Sequence, residues 1–264
     1  MCALGQAEAY DRHTGRYAPE LASAFARFAG IAPEMRALDV GCGTGALAEE
    51  LARVVGPTRV AAVDPSENYV STCRERVPGA DVRLGNAEHL PFDDPAFGAV
   101  LAQLVMQVLD DAPRAAREMR RVAAPGGVVA ACVWDFKDGM PLLSAYWGAA
   151  ESVDPKGARE AGDDDANPWC TPEALHRLWS DAALEDVHAG GFSATAHYDG
   201  FDDAWRSFSE GASPSGRFCR SLDEERRAAL RDEFRKRLGL PEGPFTLTAR
   251  AWSVRGRAPE SDGN

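Results

Sequence analysis

Short apolar runs alternate with longer segments of helical composition along the first half of the chain. Several of these runs are almost continuously apolar, which is typical of strands buried on both faces of a parallel sheet. The pattern predicts five strands, at 36–40, 58–63, 82–84, 97–103 and 128–134. Helices are predicted at 19–29, 44–54, 66–77 and 111–123. This alternation predicts an α/β protein with a doubly wound, mostly parallel sheet and right-handed crossovers.

The pattern loosens in the second half of the chain. Helical segments occur there on both sides of a stretch rich in Asp and Gly, 154–168, which predicts a mobile loop. A strand is predicted at 186–198, with a bulge or bend at Gly190-Gly191. Segment 245–251 alternates in polarity as an antiparallel edge strand does. The stretch between them is longer than a hairpin needs. It predicts a helical insertion at about 199–243, a candidate lid.

The segment from Leu38 to Gly45 joins a predicted strand to a predicted helix through a turn with three glycines. It reads Leu-Asp-Val-Gly-Cys-Gly-Thr-Gly. Glycine allows positive φ angles and lets a ligand approach the backbone closely. Thr44 is placed to cap the first turn of the helix. A strand, a glycine turn and a helix together predict a nucleotide-cofactor site at the carboxyl end of a parallel strand.

The type of cofactor is indicated by Asp39, which precedes the first glycine by two residues. The segment from Gly41 to Ala46 also fits the dinucleotide pattern G-x-G-x-x-A. A dinucleotide places a pyrophosphate over such a turn, and the Asp39 carboxylate would repel it. A ligand with an ammonium group would instead be attracted through charge-assisted hydrogen bonds. The sequence therefore favours S-adenosylmethionine (SAM), which carries an ammonium and a sulfonium but no phosphate.

Four segments in the same order resemble the motifs of class I SAM-dependent methyltransferases of the small-molecule type. The glycine segment, 38–45, resembles their first motif. Val60–Asp64 resembles the second strand, which ends in the acid that binds the ribose hydroxyls. Segments 85–92 and 121–127 resemble the loop that cradles adenine and the turn before the fifth strand. The resemblance covers residues 35–135, approximately.

This resemblance implies a Rossmann-like methyltransferase fold: a seven-stranded sheet with an antiparallel last strand and a helical insertion before it. It implies an enzyme that transfers the methyl group of SAM to a small-molecule acceptor by in-line displacement. Two alternatives stay open. One is a SAM-binding module without catalytic activity, and the other is an NAD-dependent oxidoreductase that uses the same glycine turn. The chain contains no Tyr-x-x-x-Lys pair, which argues against the oxidoreductase.

The candidate site residues follow from these motifs and positions. Asp64 follows the glycine turn by about twenty residues, where an acid can accept both ribose hydroxyls. No catalytic residue is assigned, and His89 in the adenine loop is a candidate general base. The predicted cofactor-binding residues are Asp39, Gly41, Cys42, Gly43, Gly45, Asp64, Pro65, Asn86, Ala87, Glu88 and Gln103, with Tyr10 and Arg16 from the N-terminal arm. The predicted acceptor pocket contains Trp134, Tyr146, Trp147 and Trp205.

Composition narrows the range of partners and compartments. The formal net charge of −12 is a poor match for nucleic acids and anionic membranes, which need a basic surface. The six cysteines include no C-x-x-C pair, so neither a zinc site nor a disulfide framework is indicated. The sequence shows no secretory signal pattern and no apolar run long enough to span a membrane. We therefore expect a cytoplasmic enzyme without a metal, a nucleic-acid partner or a membrane partner, while a homodimer stays open.

The predicted organisation has four parts. An N-terminal arm and helix, 1–35, lies over the cofactor, and 36–135 forms the SAM-binding core. The C-terminal half of the sheet, 136–256, carries the helical insertion, and 257–264 is a polar tail. The sequence does not predict the acceptor, the type of atom that is methylated or the oligomeric state.

Overall fold

The computed structural model describes residues 15–93, 95–162, 168–210, 213–239 and 242–260. Its strands are β1 (Ala37–Val40), β2 (Val60–Asp64), β3 (Asp81–Leu84), β4 (Phe97–Gln103), β5 (Ala123–Trp134), β6 (Glu185–Tyr198) and β7 (Phe245–Arg257). Its helices are α1 (Ala18–Ala29), α2 (Ala46–Val55), α3 (Glu67–Arg76), α4 (Ala112–Val122), α5 (Pro141–Val153), α6 (Pro155–Ala161), α7 (Pro172–Asp181), α8 (Phe201–Ser209), α9 (Pro214–Ser221) and α10 (Glu224–Leu238). Short 3-10 turns lie at Gly15–Tyr17, Pro57–Arg59 and Met106–Val108.

These strands form a seven-stranded sheet in the order β3-β2-β1-β4-β5-β7-β6. Strands β1 to β5 pair in the parallel sense, and β7 pairs with β5 in the antiparallel sense. The strand order changes direction between β1 and β4, and sheets of this kind bind ligands at the carboxyl ends beside such a switch point. The predicted α/β fold with a doubly wound, mostly parallel seven-stranded sheet is confirmed.

The pairing register places three polar side chains on one face of the sheet at its carboxyl edge. Asp39 of β1 pairs with Ala62 of β2 and with Leu101 of β4. Side chains two residues apart on a strand point to the same face. Asp64 and Gln103, each two residues beyond the partner of Asp39, therefore share its face.

The central strands are buried, which explains their apolar composition. Every residue of β1 and β2 is buried, and so are five of the seven residues of β4. Helix α4 adds Met119 and Val122 to the same core. Trp179 of α7 is also fully buried, and its indole nitrogen donates to the Val129 carbonyl at 2.9 Å. This packing fixes the strands whose ends carry the polar residues.

The described residues divide into two compact units. The sheet unit contains 18–93, 95–134, 168–192 and 251–260, and the helical unit contains 15–17, 135–162, 193–210, 213–239 and 242–250. The division falls within β6 and β7. The glycine turn and the polar strand ends all belong to the sheet unit, and the helices of the predicted insertion belong to the helical unit.

An aromatic cluster forms the core of the helical unit. Tyr146 stacks on Phe208 with ring centroids 4.1 Å apart, and both rings meet Phe234 edge-on, at 5.7 and 5.3 Å. All three are fully buried, and the Tyr146 hydroxyl donates to the Ser215 carbonyl at 2.7 Å. Both the ring and the hydroxyl of Tyr146 therefore pack in the core of this unit, and its place in an acceptor pocket stays a prediction.

Two local predictions are wrong, and each has a physical reason. Helix α2 is not capped by Thr44, because its N-cap is Gly45 in the left-handed region and no side chain caps it. The predicted loop at 154–168 contains helix α6, whose first turn is capped by the Asp154 side chain accepting from the Gly157 amide. Residues 163–167 of that loop lie outside the described residues.

Candidate active site

The glycine turn is hydrogen-bonded to β2, and the surroundings of its glycines differ. The amides of Gly41 and Cys42 both donate to the Val63 carbonyl, at 2.8 and 3.0 Å. All three glycines have positive φ, of 72° at Gly41, 50° at Gly43 and 91° at Gly45. A Cβ at Gly41 would lie 2.4 Å from Val105 Cγ2, whereas a Cβ at Gly43 would meet no described atom within 4 Å. The middle glycine therefore borders open space, where a ligand can approach the backbone.

Asp39 is a buried carboxylate without a hydrogen bond of normal geometry. It is 1% exposed, and neither carboxylate oxygen has a partner among the described residues. Burial raises the pKa of Asp39 to about 8; a hydrogen bond of poor geometry from the Ala48 amide opposes the shift, and the Asp64 carboxylate adds to it. An unpaired charge in such surroundings is unfavourable. The site therefore suits a ligand that brings a cation to Asp39.

Asp64, at the end of β2, differs from Asp39 because both of its carboxylate oxygens accept hydrogen bonds. Its Oδ2 accepts from the Gly43 amide at 3.0 Å and its Oδ1 accepts from the Ser66 amide at 2.9 Å. Burial raises the pKa of Asp64, and these two amides counteract the shift. Each carboxylate oxygen has a further lone pair. Asp64 therefore ties the glycine turn to the start of α3 and can still accept hydrogen bonds from a ligand.

Gln103 places an amide at the end of β4. Its Nε2 donates to the Ala18 carbonyl at 3.4 Å, while its Oε1 is buried and has no partner among the described residues. Gln103 lies on the same face as Asp39, on the neighbouring strand. Two side chains with unpaired acceptor oxygens thus occur at adjacent strand ends, which is favourable for binding an ammonium group.

The residue after Gln103 has a strained backbone that sequence reasoning missed. Leu104 has a φ of 62°, which is uncommon for a residue other than glycine. Its amide donates to the Cys132 carbonyl at 2.8 Å, and the following Val105 fills the space beside Gly41. Strain of this kind concentrates at functional sites. A leucine gives no sign of it in the sequence.

The loop after β3 uses two of its predicted ligand residues for its own structure. Asn86 Oδ1 accepts from the Glu88 amide at 3.0 Å, and Glu88 Oε1 accepts from the Asp111 amide at 2.9 Å. Ala87 is buried between them. His89 is exposed, and its backbone amide donates to the Asn86 carbonyl at 3.1 Å. His89 interacts electrostatically with Glu118, and its role as a base stays a prediction.

Arg16 is engaged within the helical unit. Its guanidinium donates to both carboxylate oxygens of Asp203, at 2.7 and 2.6 Å, and lies 4.8 Å from the centre of the Tyr198 ring. The hydrogen bond from Arg16 holds the pKa of Asp203 below its ordinary value. The neighbouring Tyr17 hydroxyl lies 3.3 Å from that of Tyr198. A cofactor contact of Arg16 stays a prediction, and Tyr10 lies outside the described residues.

The remaining predicted pocket aromatics occur in both units. Trp134 ends β5 in the sheet unit, where it is 1% exposed and its amide donates to Gln107 Oε1 at 2.9 Å. Trp147 and Trp205 are half-buried in the helical unit. Trp147 meets Tyr146 edge-on at 5.4 Å. Of the four predicted pocket aromatics, only Trp147 and Trp205 are partly exposed.

Comparison with known proteins agrees with this geometry. The model of a methyltransferase domain family matches residues 38–131. The ubiquinone/menaquinone biosynthesis C-methyltransferase UbiE of Ralstonia pickettii is 33% identical over 174 residues, which cover 60% of this chain and 71% of that protein. This chain therefore belongs to the class I SAM-dependent methyltransferases.

Solved structures show the same fold. The YcgJ protein of Bacillus subtilis matches with a TM-score of 0.57 and 19% identity, over 92% of this chain and 99% of that one. Phosphoethanolamine N-methyltransferase 2 of Haemonchus contortus, solved with SAM, matches with a TM-score of 0.54 and 16% identity, over 92% of this chain and 53% of that one.

The chain is therefore a SAM-dependent methyltransferase, and the predicted enzyme class and cofactor are confirmed. Membership of this family excludes the alternative prediction of an NAD-dependent oxidoreductase. Within the described residues, no helix is both long and apolar enough to cross a membrane. The same part of the chain contains no group of three His, Cys, Asp or Glu residues that could hold a metal ion.

Proposed function

We propose that this enzyme methylates a small, apolar or aromatic molecule, with a quinone-like ring as the first acceptor to test. The observation that carries the proposal is Val108, which is 73% exposed in the 3-10 turn that follows β4. This turn begins at Met106, two residues beyond Leu104, and lies at the carboxyl end of β4, where sheets of this kind bind ligands. An apolar side chain held there supports an acceptor with apolar surface.

The turn that carries Val108 is held in place on several sides. Met106 is fully buried, and the Val108 amide donates to the Val105 carbonyl at 2.9 Å. Gln107 accepts from the Trp134 amide, which ties the turn to the end of β5. Because the turn is fixed, the exposed side chain of Val108 does not need a large rearrangement before it meets a ligand.

The cofactor roles in this proposal follow the geometry of the sheet unit. Asp39 and Gln103 bind the ammonium of SAM, and Asp64, with Pro65 beside it, binds the ribose hydroxyls. Gly43 lets the cofactor approach the backbone, and Cys42 is the small residue that the turn requires. Asn86, Ala87 and Glu88 shape the loop that faces adenine. When bound, SAM supplies a methyl group already activated by its sulfonium.

The protein's own contribution to catalysis is alignment and the exclusion of water. Holding two reactants in line is worth effective molarities on the order of 10⁵–10⁸ M. A general base matters when the acceptor must lose a proton, and it would then add about 10²–10⁴-fold. The proposal assigns no residue to that role. The net charge of −12 supports a small molecule over a nucleic acid as the acceptor.

The test is transfer of a labelled methyl group from SAM to a matched panel of acceptors. The panel contains demethylated quinols with and without an apolar side chain, simple phenols, primary amines, and nucleic acid. We expect product on the quinols and phenols. Robust turnover on nucleic acid, with none on the small molecules, would overturn the proposal.

A further inference from the structure

Asp39 interacts with one other acid, with two thiols and with the backbone amide of Ala48 in α2, which lowers its pKa against the effect of burial. Asp64 of β2 lies on the same face. The glycine turn contributes Cys42, which hydrogen-bonds to Cys73 of α3, and Cys132 of β5 also interacts electrostatically with Asp39. The hydrogen bond with Cys73, together with burial, raises the pKa of Cys42, and burial raises the pKa of Cys132, so both thiols are neutral. None of these groups is a cation that could stabilise an ionised Asp39.

The ligand-free site therefore favours the protonated form of Asp39. The side chain is 1% exposed, and both of its oxygens lack a partner among the described residues. Water cannot easily solvate a charge at that depth, and Asp64 repels it. A bound ammonium reverses this preference, because it supplies the missing positive charge and hydrogen-bond donors.

We propose that binding of the cofactor's amino-acid end expels one proton from Asp39, so that the affinity of the site for the cofactor rises with pH. This inference rests on the proposed cofactor role of Asp39. It also makes the site selective for nucleosides that carry a cation at this position, because a neutral ligand cannot displace the proton.

The direction and range of the effect follow from the two titrating groups. The pKa of Asp39 lies at about 8 in the ligand-free protein, against 3.8 in an unperturbed carboxyl group. Below pH 8 the proton must be removed on binding, so the dissociation constant should fall up to about tenfold per pH unit as pH rises. The ligand's own amino group loses its proton near pH 8. The clean range for a test is therefore about pH 5.5 to 7.2.

The experiment is titration calorimetry on the whole protein with S-adenosylhomocysteine, which has the ammonium and lacks the sulfonium. Binding heats at pH 6.5 are compared in two buffers with different enthalpies of ionisation, and their difference gives the protons released. The matched ligand is 5′-methylthioadenosine, which keeps the adenine and ribose and lacks the amino-acid part. We expect about one proton released with the first ligand and close to none with the second.

The difference between the two ligands removes any contribution from Asp64, because both contain the ribose. The Asp39→Asn variant should bind S-adenosylhomocysteine without releasing a proton and with little dependence on pH. In the Asp64→Asn variant, the same ligand should bind more weakly but still release the proton. If either variant does not fold, the comparison of the two ligands on the wild-type protein decides the question alone.

The outcomes separate the inference from the proposed function beneath it. Tight binding of S-adenosylhomocysteine with no proton release, and with a dissociation constant constant from pH 5.5 to 7.2, would overturn the inference and leave the cofactor site intact. Equal proton release with 5′-methylthioadenosine would also overturn it, because the proton would then come from the ribose side. No binding of either nucleoside would overturn both the inference and the proposed cofactor roles.

Discussion

Asp39 and Asp64 project from the same face of neighbouring parallel strands, yet Asp64 accepts two backbone amides while neither oxygen of Asp39 has a partner in the described part of the chain. Their surroundings give the two acids different tasks. Asp64 already stabilises the glycine turn in the ligand-free protein. Asp39 is destabilising until a cation arrives, because burial opposes its charge.

The first prediction concerns the stability of the ligand-free protein as pH changes. The folded-state pKa of Asp39 is raised from 3.8 to about 8, so the folded protein binds this proton where the unfolded chain has lost it. The penalty is absent below pH 4 and complete above pH 8. The free energy of unfolding should therefore fall across this range by up to about 1.4 kcal/mol per pH unit from this group.

The Asp39→Asn variant should lose this part of the pH dependence. Its melting temperature, measured without ligand at pH 5 and pH 8, should rise relative to wild type as pH increases. The comparison uses the change with pH, because the buried amide also has unpaired groups. Asp181→Asn, at the exposed end of α7, is the control and should follow wild type. Parallel curves for all three proteins would contradict the prediction.

The second prediction separates two glycines of the same turn. Gly41→Ala should destabilise the fold strongly, because its Cβ would lie 2.4 Å from Val105 Cγ2 at a φ of 72°. Gly43→Ala meets no described atom and should cost only the left-handed strain, about 1–2 kcal/mol. Its methyl group would instead enter the open space beside the turn. Gly43→Ala should therefore weaken binding of S-adenosylhomocysteine more than it lowers the melting temperature.

A second substitution tests the reason given for Gly41. Val105→Ala removes the methyl groups that a side chain at 41 would strike. The double variant, Gly41→Ala with Val105→Ala, should recover part of the stability lost in Gly41→Ala, as measured by chemical denaturation. Additive losses would show that strain in the backbone, and not the contact with Val105, requires glycine at this position.

The sequence predicts the strands and the glycine turn well, because both depend on the residues within each segment. Strands such as β1 and β4 are apolar since parallel strands are buried on both faces. The glycine turn is readable because positive φ angles favour glycine. The register of β1 with its neighbours could not be read, and that register is what places Asp39, Asp64 and Gln103 on one face.

Other features depend on contacts between distant parts of the chain. Arg16 pairs with Asp203, which lies 187 residues away along the chain, so no local pattern could predict this contact. Tyr146 packs against Phe208 and Phe234 in the core of the helical unit. These partners are distant in sequence, so the pattern around Tyr146 does not distinguish a core aromatic from a pocket aromatic. The strain at Leu104 is imposed by the packing around it and has no sequence marker.

The third prediction concerns the ion pair of Arg16 and Asp203. Both side chains are mostly buried, at 19% and 13% exposure, and the contact is bidentate. Such a pair is stronger than an ordinary surface salt bridge. A double-mutant cycle with Arg16→Ala and Asp203→Ala, followed by denaturation, should give a coupling of about 1–3 kcal/mol.

The pH dependence of this coupling gives an internal control. The folded-state pKa of Asp203 is lowered by Arg16, so the stabilisation is present above the unfolded pKa and is lost as pH falls through the folded value. The Arg231 and Asp202 pair is more exposed, at 37% and 72%, and is the matched comparison. Its coupling should stay below about 1 kcal/mol. Equal couplings in the two cycles would contradict the assignment.

The last prediction tests the acceptor side of the proposed function. Val108→Ser replaces an exposed apolar side chain in the turn after β4 with a smaller, polar one. If the acceptor covers this side chain, the variant loses up to about 1–2 kcal/mol of apolar contact. The KM for an apolar quinol should then rise about 5–30-fold, with kcat and the affinity for S-adenosylhomocysteine unchanged.

Leu84→Ser provides the matched control, because Leu84 is also an exposed apolar residue, at 53%, and ends β3 on the same edge of the sheet. It lies on the other side of the glycine turn in the strand order, beyond β2. The control should leave the KM for the quinol unchanged. An equal rise of KM in both variants would indicate a general effect of lost surface apolarity. Unchanged KM in Val108→Ser would remove the turn after β4 from the proposed acceptor site, because an acceptor that covers this side chain must respond to its loss.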